Sequence, residues 1–317
     1  MNGFEIRDAD ASDAPGIRRL FEKVFGSPLS PDVWAWKFAR DPDGWYGVVG
    51  VRRDDGEIVG HYAGWGARFL LDSEPRLLYS VGDVATDPSV RGLGGRRGVY
   101  RAMADAFYER VGKHGVPFCY GFPNARALKV SERIVGSRTL LPVRLVQVPL
   151  DAFPAPPSDT EAGELVDVSF DSLWEEARRG ITHGPLRDRG RVNWRFHARP
   201  DRYYRMVWRR QAGDMLAWAA LSVGEGVATV VDFLGRDESG ADLPALFAAA
   251  ADEARRLEAR SLAFWLPPGG PGREAIEKLP GERMDAGFPM IVRVFDEGAV
   301  RRFGENAHLV PSLYDVV

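Results

Sequence analysis

The chain has 317 residues, 45% of them hydrophobic, enough to bury one large core or two ordinary ones. Its 42 basic and 45 acidic residues leave a net charge of −3, which supplies no overall field for nucleic acid. A single cysteine, Cys119, excludes an internal disulfide, and five scattered histidines without ligand spacing give no reason to expect a metal.

In chain order, "MNGFEIRDADASD" lacks the basic and apolar regions of a signal segment. No apolar run nears the roughly 20 residues of a membrane span. The expected location is the cytoplasm, with no membrane partner. Residues 3–8 read as a strand and 12–25 as a helix with Ser12 or Asp13 at its start. A second helix, 30–39, follows Ser30 with Pro31 in its first turn. Strand-rich runs then occupy 45–53, 57–70 and 76–86. Helix 95–113 carries an apolar stripe at Val99, Met103, Phe107 and Val111. A buried strand at 116–122, a helix at 124–135 and a strand near 141–149 complete this half.

"DAFPAPPSDTEAG", 151–163, reads as a linker because it has three prolines and no periodicity. Beyond it lie expected strand 164–169, helices 171–179 and 190–198, and strands 203–210, 215–223 and 226–234. Helix 241–258 and strand 260–266 follow. The end, "LVPSLYDVV", reads as a terminal strand.

The halves repeat one another. "WAWKFARDPDGWYGVVGVRR" lies over "VNWRFHARPDRYYRMVWRR" at a constant offset of 158, so that Trp36 meets Trp194 and Phe38 meets Phe196. "SVGDVATD" resembles "TVVDFLGRD", which sets Asp83 opposite Asp232. Similarity in the same order along both halves argues for an internal duplication. The expected fold class is α/β (α+β): two tandem domains, each a twisted, mixed, mostly antiparallel sheet flanked by helices. The expected domains are 1–150 and 164–317, joined by 151–163.

"DPSVRGLGGRRG" is the most informative segment. Pro88 ends a strand, and Gly92, Gly94 and Gly95 allow close backbone approach to a ligand. A helix follows at once, so its free N–H groups and dipole face the loop. Arg91, Arg96 and Arg97 add donors suited to phosphate oxygens. The pattern suits a pyrophosphate. It is neither a Walker loop nor the dinucleotide fingerprint, because the Gly-Lys-Ser/Thr and the glycine spacing are missing.

These residues resemble the acyl-CoA loop of the GNAT superfamily of N-acetyltransferases, with Arg91, Gly92 and Gly94 on its pattern and Arg96 departing from it. "FCYGFPNARALKVSERIVG" resembles the family's next motif, with Asn124 and Ala127 matching. The resemblance covers about residues 3–149 and reaches 164–296 only through the repeat, whose "GRDESGADLP" lacks the Arg-Gly pattern.

That resemblance implies acetyl-CoA or another acyl-CoA as donor and a small-molecule amine as acceptor. It assigns Val84, Ala85 and Thr86 to the pantetheine arm and the segment Arg91, Gly92, Leu93, Gly94, Gly95 and Arg96 to the pyrophosphate. Asn124 would bond the donor near the splayed strands. For the base, Asp83 on the fourth strand is the first choice. The family's acidic Tyr is absent from "VSERIVG", which offers Ser131 or Glu132, with Tyr120 as a substitute. His61 could face the acceptor. Assembly as a homodimer is left open. Competing expectations are a catalytically silent acyl-CoA sensor and an aminoacyl-tRNA-dependent transferase.

Overall fold

The computed structural model describes residues 3–91, 98–237 and 240–314. The chain forms two compact units that are discontinuous in sequence. The first comprises Met1–Ala67, Leu77–Leu140 and Met290–Val300; the second comprises Arg68–Arg76, Leu141–Pro289 and Arg301–Val317.

The first half of the chain supplies β1 (Phe4–Asp8), α1 (Ala14–Phe25), α2 (Pro31–Trp34), β2 (Trp45–Arg52), β3 (Ile58–Leu71) and β4 (Glu74–Thr86). Then come α3 (Val99–Lys113), β5 (Phe118–Gly121), α4 (Ala125–Val130) and β6 (Arg138–Pro149). Each of α2 and α4 runs on into a single wide turn, at Ala35–Ala39 and Ser131–Val135. Local chemistry accounts for the helix ends. Pro15 lies in the first turn of α1, and Gly26 closes it at φ +77. Ser30 caps α2 through Val33 N.

In the first unit the strand order is β1-β2-β3-β4-β5, with residues 291–294 of a later strand antiparallel to β5. Ile17, Leu20, Phe21, Trp34, Phe38, Val49, Ala63 and Ala85 form a core under α1 and α2. Helix α3 buries the stripe expected of it, Val99, Met103, Phe107 and Val111. Its close docking depends on missing side chains: a Cβ at Gly60 would stand 2.6 Å from Met103 Sδ.

The second half supplies β7 (Thr160–Gly163), α5 (Ser169–Ala177), β8 (Gly184–Pro185), α6 (Arg189–Phe196), β9 (Arg205–Gln211), β10 (Asp214–Gly224) and β11 (Val227–Gly235). It continues with α7 (Leu243–Arg256), β12 (Ser261–Trp265), α8 (Arg273–Glu277), β13 (Glu282–Val294) and α9 (Glu297–Asn306). In the second unit the order is β7-β9-β10-β11-β12-β6. Here β11 and β12 are parallel, like β4 and β5, and the other pairings are antiparallel. The α/β class and the mixed, mostly antiparallel pairing match expectation.

Three local readings need correction. The strand expected at 164–169 lies instead at Thr160–Gly163, inside the stretch read as linker, where it pairs with β9. Four residues among prolines and small side chains carry too little alternation to be read. In the terminal segment the described residues form a 3-10 turn, Pro311–Leu313, in place of a strand, and 315–317 lie outside the described residues. A cut at 151–163 also does not separate the units. Leu145–Pro149 of β6 pairs with β12 in the second unit, and Ile291–Val294 of β13 pairs with β5 in the first. Each unit thus takes its sixth strand from the other half of the sequence.

Candidate functional site

The site lies in the first unit, where β4 leaves β5. Their parallel pairing covers Tyr79 and Ser80 against Cys119 and Tyr120. Past it, β4 runs on from Val81 to Thr86. Midway through this stretch Asp83 adopts φ +49, a left-handed geometry that few residues other than glycine accept. The strand therefore breaks its regular course at the residue singled out as a base.

Asp83 is held from two sides. Lys37 Nζ lies 2.6 Å from its Oδ2. Its carbonyl accepts a hydrogen bond from His61 Nδ1 at 2.9 Å, which fixes that imidazole as the Nδ1–H tautomer. His61 is wholly buried, and burial pushes it down to about 4, so the ring is neutral at pH 7. Its Nε2 has no partner among the described residues. Phe21 and Phe38 ring it at 5.3 and 6.0 Å. Trp65 lies over Gly82: a Cβ on that glycine would come within 2.6 Å of the indole. Lys37 Nζ sits 4.1 Å from the centre of the same indole.

The residues assigned to a cofactor are placed as follows. Ala85 is buried in the core under α1, while Val84 and Thr86 are half-buried. The Thr86 carbonyl accepts from Arg91 Nε at 2.9 Å, and Arg91 is exposed. Asp87 then anchors the turn that follows, accepting from Lys23 Nζ at 2.6 Å and Ser89 N at 2.8 Å. Burial works to raise the Asp87 carboxyl, but Lys23 and Ser89 outweigh it and hold the group at about 2. Gly92, Leu93, Gly94, Gly95 and Arg96 lie outside the described residues. Beyond them, Gly98 opens α3 with no side chain to cap its first N–H groups.

Asn124 is the N-cap of α4, its oxygen accepting from Arg126 N at 3.1 Å and Ala127 N at 2.9 Å. That oxygen is spent on the helix, which leaves only the amide NH2 for a ligand. Tyr120 is buried within β5, between Ser80 and Val292. Glu132 is exposed. Ser131 opens the wide turn after α4, and α3 packs on that turn through Arg101, which donates to the Ile134 carbonyl at 2.6 Å; Tyr100 precedes Arg101 on the helix. Burial raises the Tyr100 phenol, so it remains protonated and able to donate. Burial likewise pushes the Cys119 thiol up, which leaves it inert as a nucleophile.

Lys37, Trp65 and Tyr100 escaped the sequence reading. For Lys37 a signal was present: it is one of five lysines in an arginine-rich chain, set in the aromatic "WAWKFAR".

Residues 5–145 match the family model described as an acetyltransferase (GNAT) domain. The fold is similar to that of a GCN5-related N-acetyltransferase from Kribbella flavida, with a TM-score of 0.68 and 16% identity over 93% of this chain and 72% of that one. It is also similar to a conserved protein from Enterococcus faecalis, with a TM-score of 0.71 and 12% identity over 95% and 74%. A third likeness is the N-myristoyltransferase of Saccharomyces cerevisiae with bound myristoyl-CoA, with a TM-score of 0.58 and 8% identity over 92% and 78%. No curated protein matches the chain.

Proposed function

We propose, from the premise that residues 5–145 are an acetyltransferase domain of the GNAT superfamily, that the protein moves an acetyl group from acetyl-CoA to the amine of a small molecule. The family makes it an acyltransferase; donor, acceptor and mechanism are our reading. One observation carries it. The edge of β4 opens after a two-residue pairing with β5, Arg91 sits at its end on the Thr86 carbonyl, and the first turn of α3 has no capping side chain among the described residues. An extended thioester arm fits such an edge and a diphosphate fits such a helix start.

In this reading Val84, Ala85 and Thr86 present the strand edge, and Arg91 with the segment 92–96 takes the diphosphate. The donor supplies a thioester carbonyl open to direct attack by a neutral amine, whose nitrogen loses its extra proton to solvent as the C–S bond breaks. Backbone N–H groups at the break in β4 receive the charge that develops on the attacked oxygen. Tyr100, on the helix that packs against the Ser131–Val135 turn, takes the role of proton donor to the departing sulfur, since the "VSERIVG" segment carries no tyrosine. Asp83, tied to Lys37, serves as an anchor of that break.

The tandem reading is part of the proposal. It is supported by the parallel fifth strand in each unit and by the carboxylate at the same place on β4 and β11. The second half carries no Arg-Gly loop sequence, "GRDESGADLP" standing in its place. The acceptor's small size and the cytoplasmic setting remain part of this reading.

Free-thiol release from acetyl-CoA across an amine panel, beside calorimetry, tests it. Turnover on at least one small amine is expected. Binding without turnover on any amine would favour an acyl-CoA sensor. Arg91→Ala should weaken donor affinity by about 1–3 kcal/mol, as expected for a charged hydrogen-bond donor.

A further inference from the structure

Three side chains from two separate elements, the wide turn after α2 and strand β3, converge on Gly82 and Asp83, and acyl transfer by itself does not account for them. Lys37 comes from the wide turn after α2, with only 7% of its side chain exposed. An ammonium buried to that depth is costly to desolvate, so it is retained for what its charge holds. Among its partners are the Asp83 carboxylate at 2.6 Å and the Trp65 ring at 4.1 Å. Trp65 presses on Gly82, the residue before, and His61 bonds the Asp83 carbonyl at 2.9 Å. What these contacts enclose is a non-glycine residue at φ +49 in mid-strand. A strained backbone of this kind persists where its surroundings over-determine it.

We propose that Lys37 is a positioning residue for acyl transfer, acting through Asp83 to hold the break in β4 at which the thioester carbonyl is received. This rests on the acyltransferase reading above. Lys37 touches neither reactant. Its ammonium pins the carboxylate and sits against the Trp65 ring, so the break is clamped at the side chain of Asp83 as His61 clamps it at the main chain.

The test compares Lys37→Met, Lys37→Arg, Asp83→Asn and the double variant Lys37→Met/Asp83→Asn. Turnover is read by thiol release, and the free protein is read by amide hydrogen exchange over residues 81–86. Lys37→Met should lower kcat about 100-fold, the scale of a small misplacement at a reacting centre, with KM for acetyl-CoA changed less than about threefold. Its amides at 81–86 should exchange at least about tenfold faster while those of α1 are unchanged. Lys37→Arg should recover much of the loss, and the double variant should be no worse than Lys37→Met, because the two residues act as one unit. The pH dependence of kcat should keep its shape in Lys37→Met. Wild-type kcat and exchange in Lys37→Met, or losses that multiply in the double variant, would overturn the proposal. Should Lys37→Met fail to fold, Asp83→Asn and Lys37→Arg carry the same comparison: slow turnover with fast exchange in the first and near-wild-type behaviour in the second support it, and the reverse overturns it. If Lys37→Met loosens residues 81–86 while the wild type releases no thiol with any amine, the acyltransferase reading falls and the clamp on β4 stands.

Discussion

Arg187 Nε donates to Asp232 Oδ1 across 2.8 Å, with 2% and 5% of the two side chains exposed. Asp232 also accepts from Phe233 N at 2.8 Å and Ser312 Oγ at 3.0 Å. The residue lies where the register of β10 and β11 slips, just as Asp83 lies at the break in β4. The cation differs between the units. Arg195, which aligns with Lys37 in the repeat, donates instead to the carbonyls of Ser312 and Tyr314. Ser312 is thus held by Arg195 at its carbonyl and holds Asp232 through its hydroxyl. In the second unit the chain's own terminal segment occupies the ground between carboxylate and cation.

Removing one partner of such a pair leaves a buried charge. Arg187→Ala should therefore cost about 3–5 kcal/mol in denaturant unfolding followed by tryptophan fluorescence. Replacing both partners, as Arg187→Met/Asp232→Leu, should recover most of that loss. An Arg187→Ala protein as stable as wild type would show that the pair contributes nothing.

Two acid-sensitive windows should separate by variant. His61 is held at about 4, below its ordinary 6.5, so the unfolded chain takes up its proton first. Its share of stability is present above about pH 6.5 and is lost as pH falls toward about 4. Asp87 is held at about 2, below its ordinary 3.8, so its share is present above about pH 4 and is lost as pH falls toward about 2. Melting temperatures of His61→Phe and Asp87→Asn against pH should converge on wild type in these separate ranges. Parallel curves throughout would show that neither group is coupled to folding.

Tyr100→Phe keeps the ring and removes the donor. Turnover should fall about 100-fold with little change in KM, and the alkaline limb of the kcat profile should vanish. Unchanged turnover would exclude Tyr100 as the acid and return that role to solvent or another side chain.

Asn124→Ala should destabilise by about 1 kcal/mol, the usual cost of losing a cap. Because its oxygen already serves Arg126 N and Ala127 N, donor affinity measured by calorimetry should change less than about threefold. A larger loss of affinity would show that the remaining amide NH2 holds the donor.

Much of the fold is legible along the chain because its signals are local. The α3 stripe, the Pro31 helix start and the strand-rich runs of β9 to β11 each lie within a dozen or so residues. The short β7 is not legible, since Thr160–Gly163 gains its identity from pairing with β9 rather than from its own pattern. Of the site, the sequence carries the Arg-Gly segment and Asp83 as a residue of interest. It does not carry the contact of Lys37 with Asp83, 46 positions apart in the chain, or that of Arg101 on α3 with the Ile134 carbonyl.

By itself, then, the order of amino acids determined the α/β class and most of the segments that are helix or strand. Those follow from backbone propensity, periodicity and glycine, which act between near neighbours. Tertiary structure alone decided which half supplies each sixth strand, that Asp83 is clamped by Lys37, Trp65 and His61, and that Ser312 stands against Asp232. These are choices among distant partners, and they are settled by the burial of charge and aromatic surface, which has no value until the chain has closed around it.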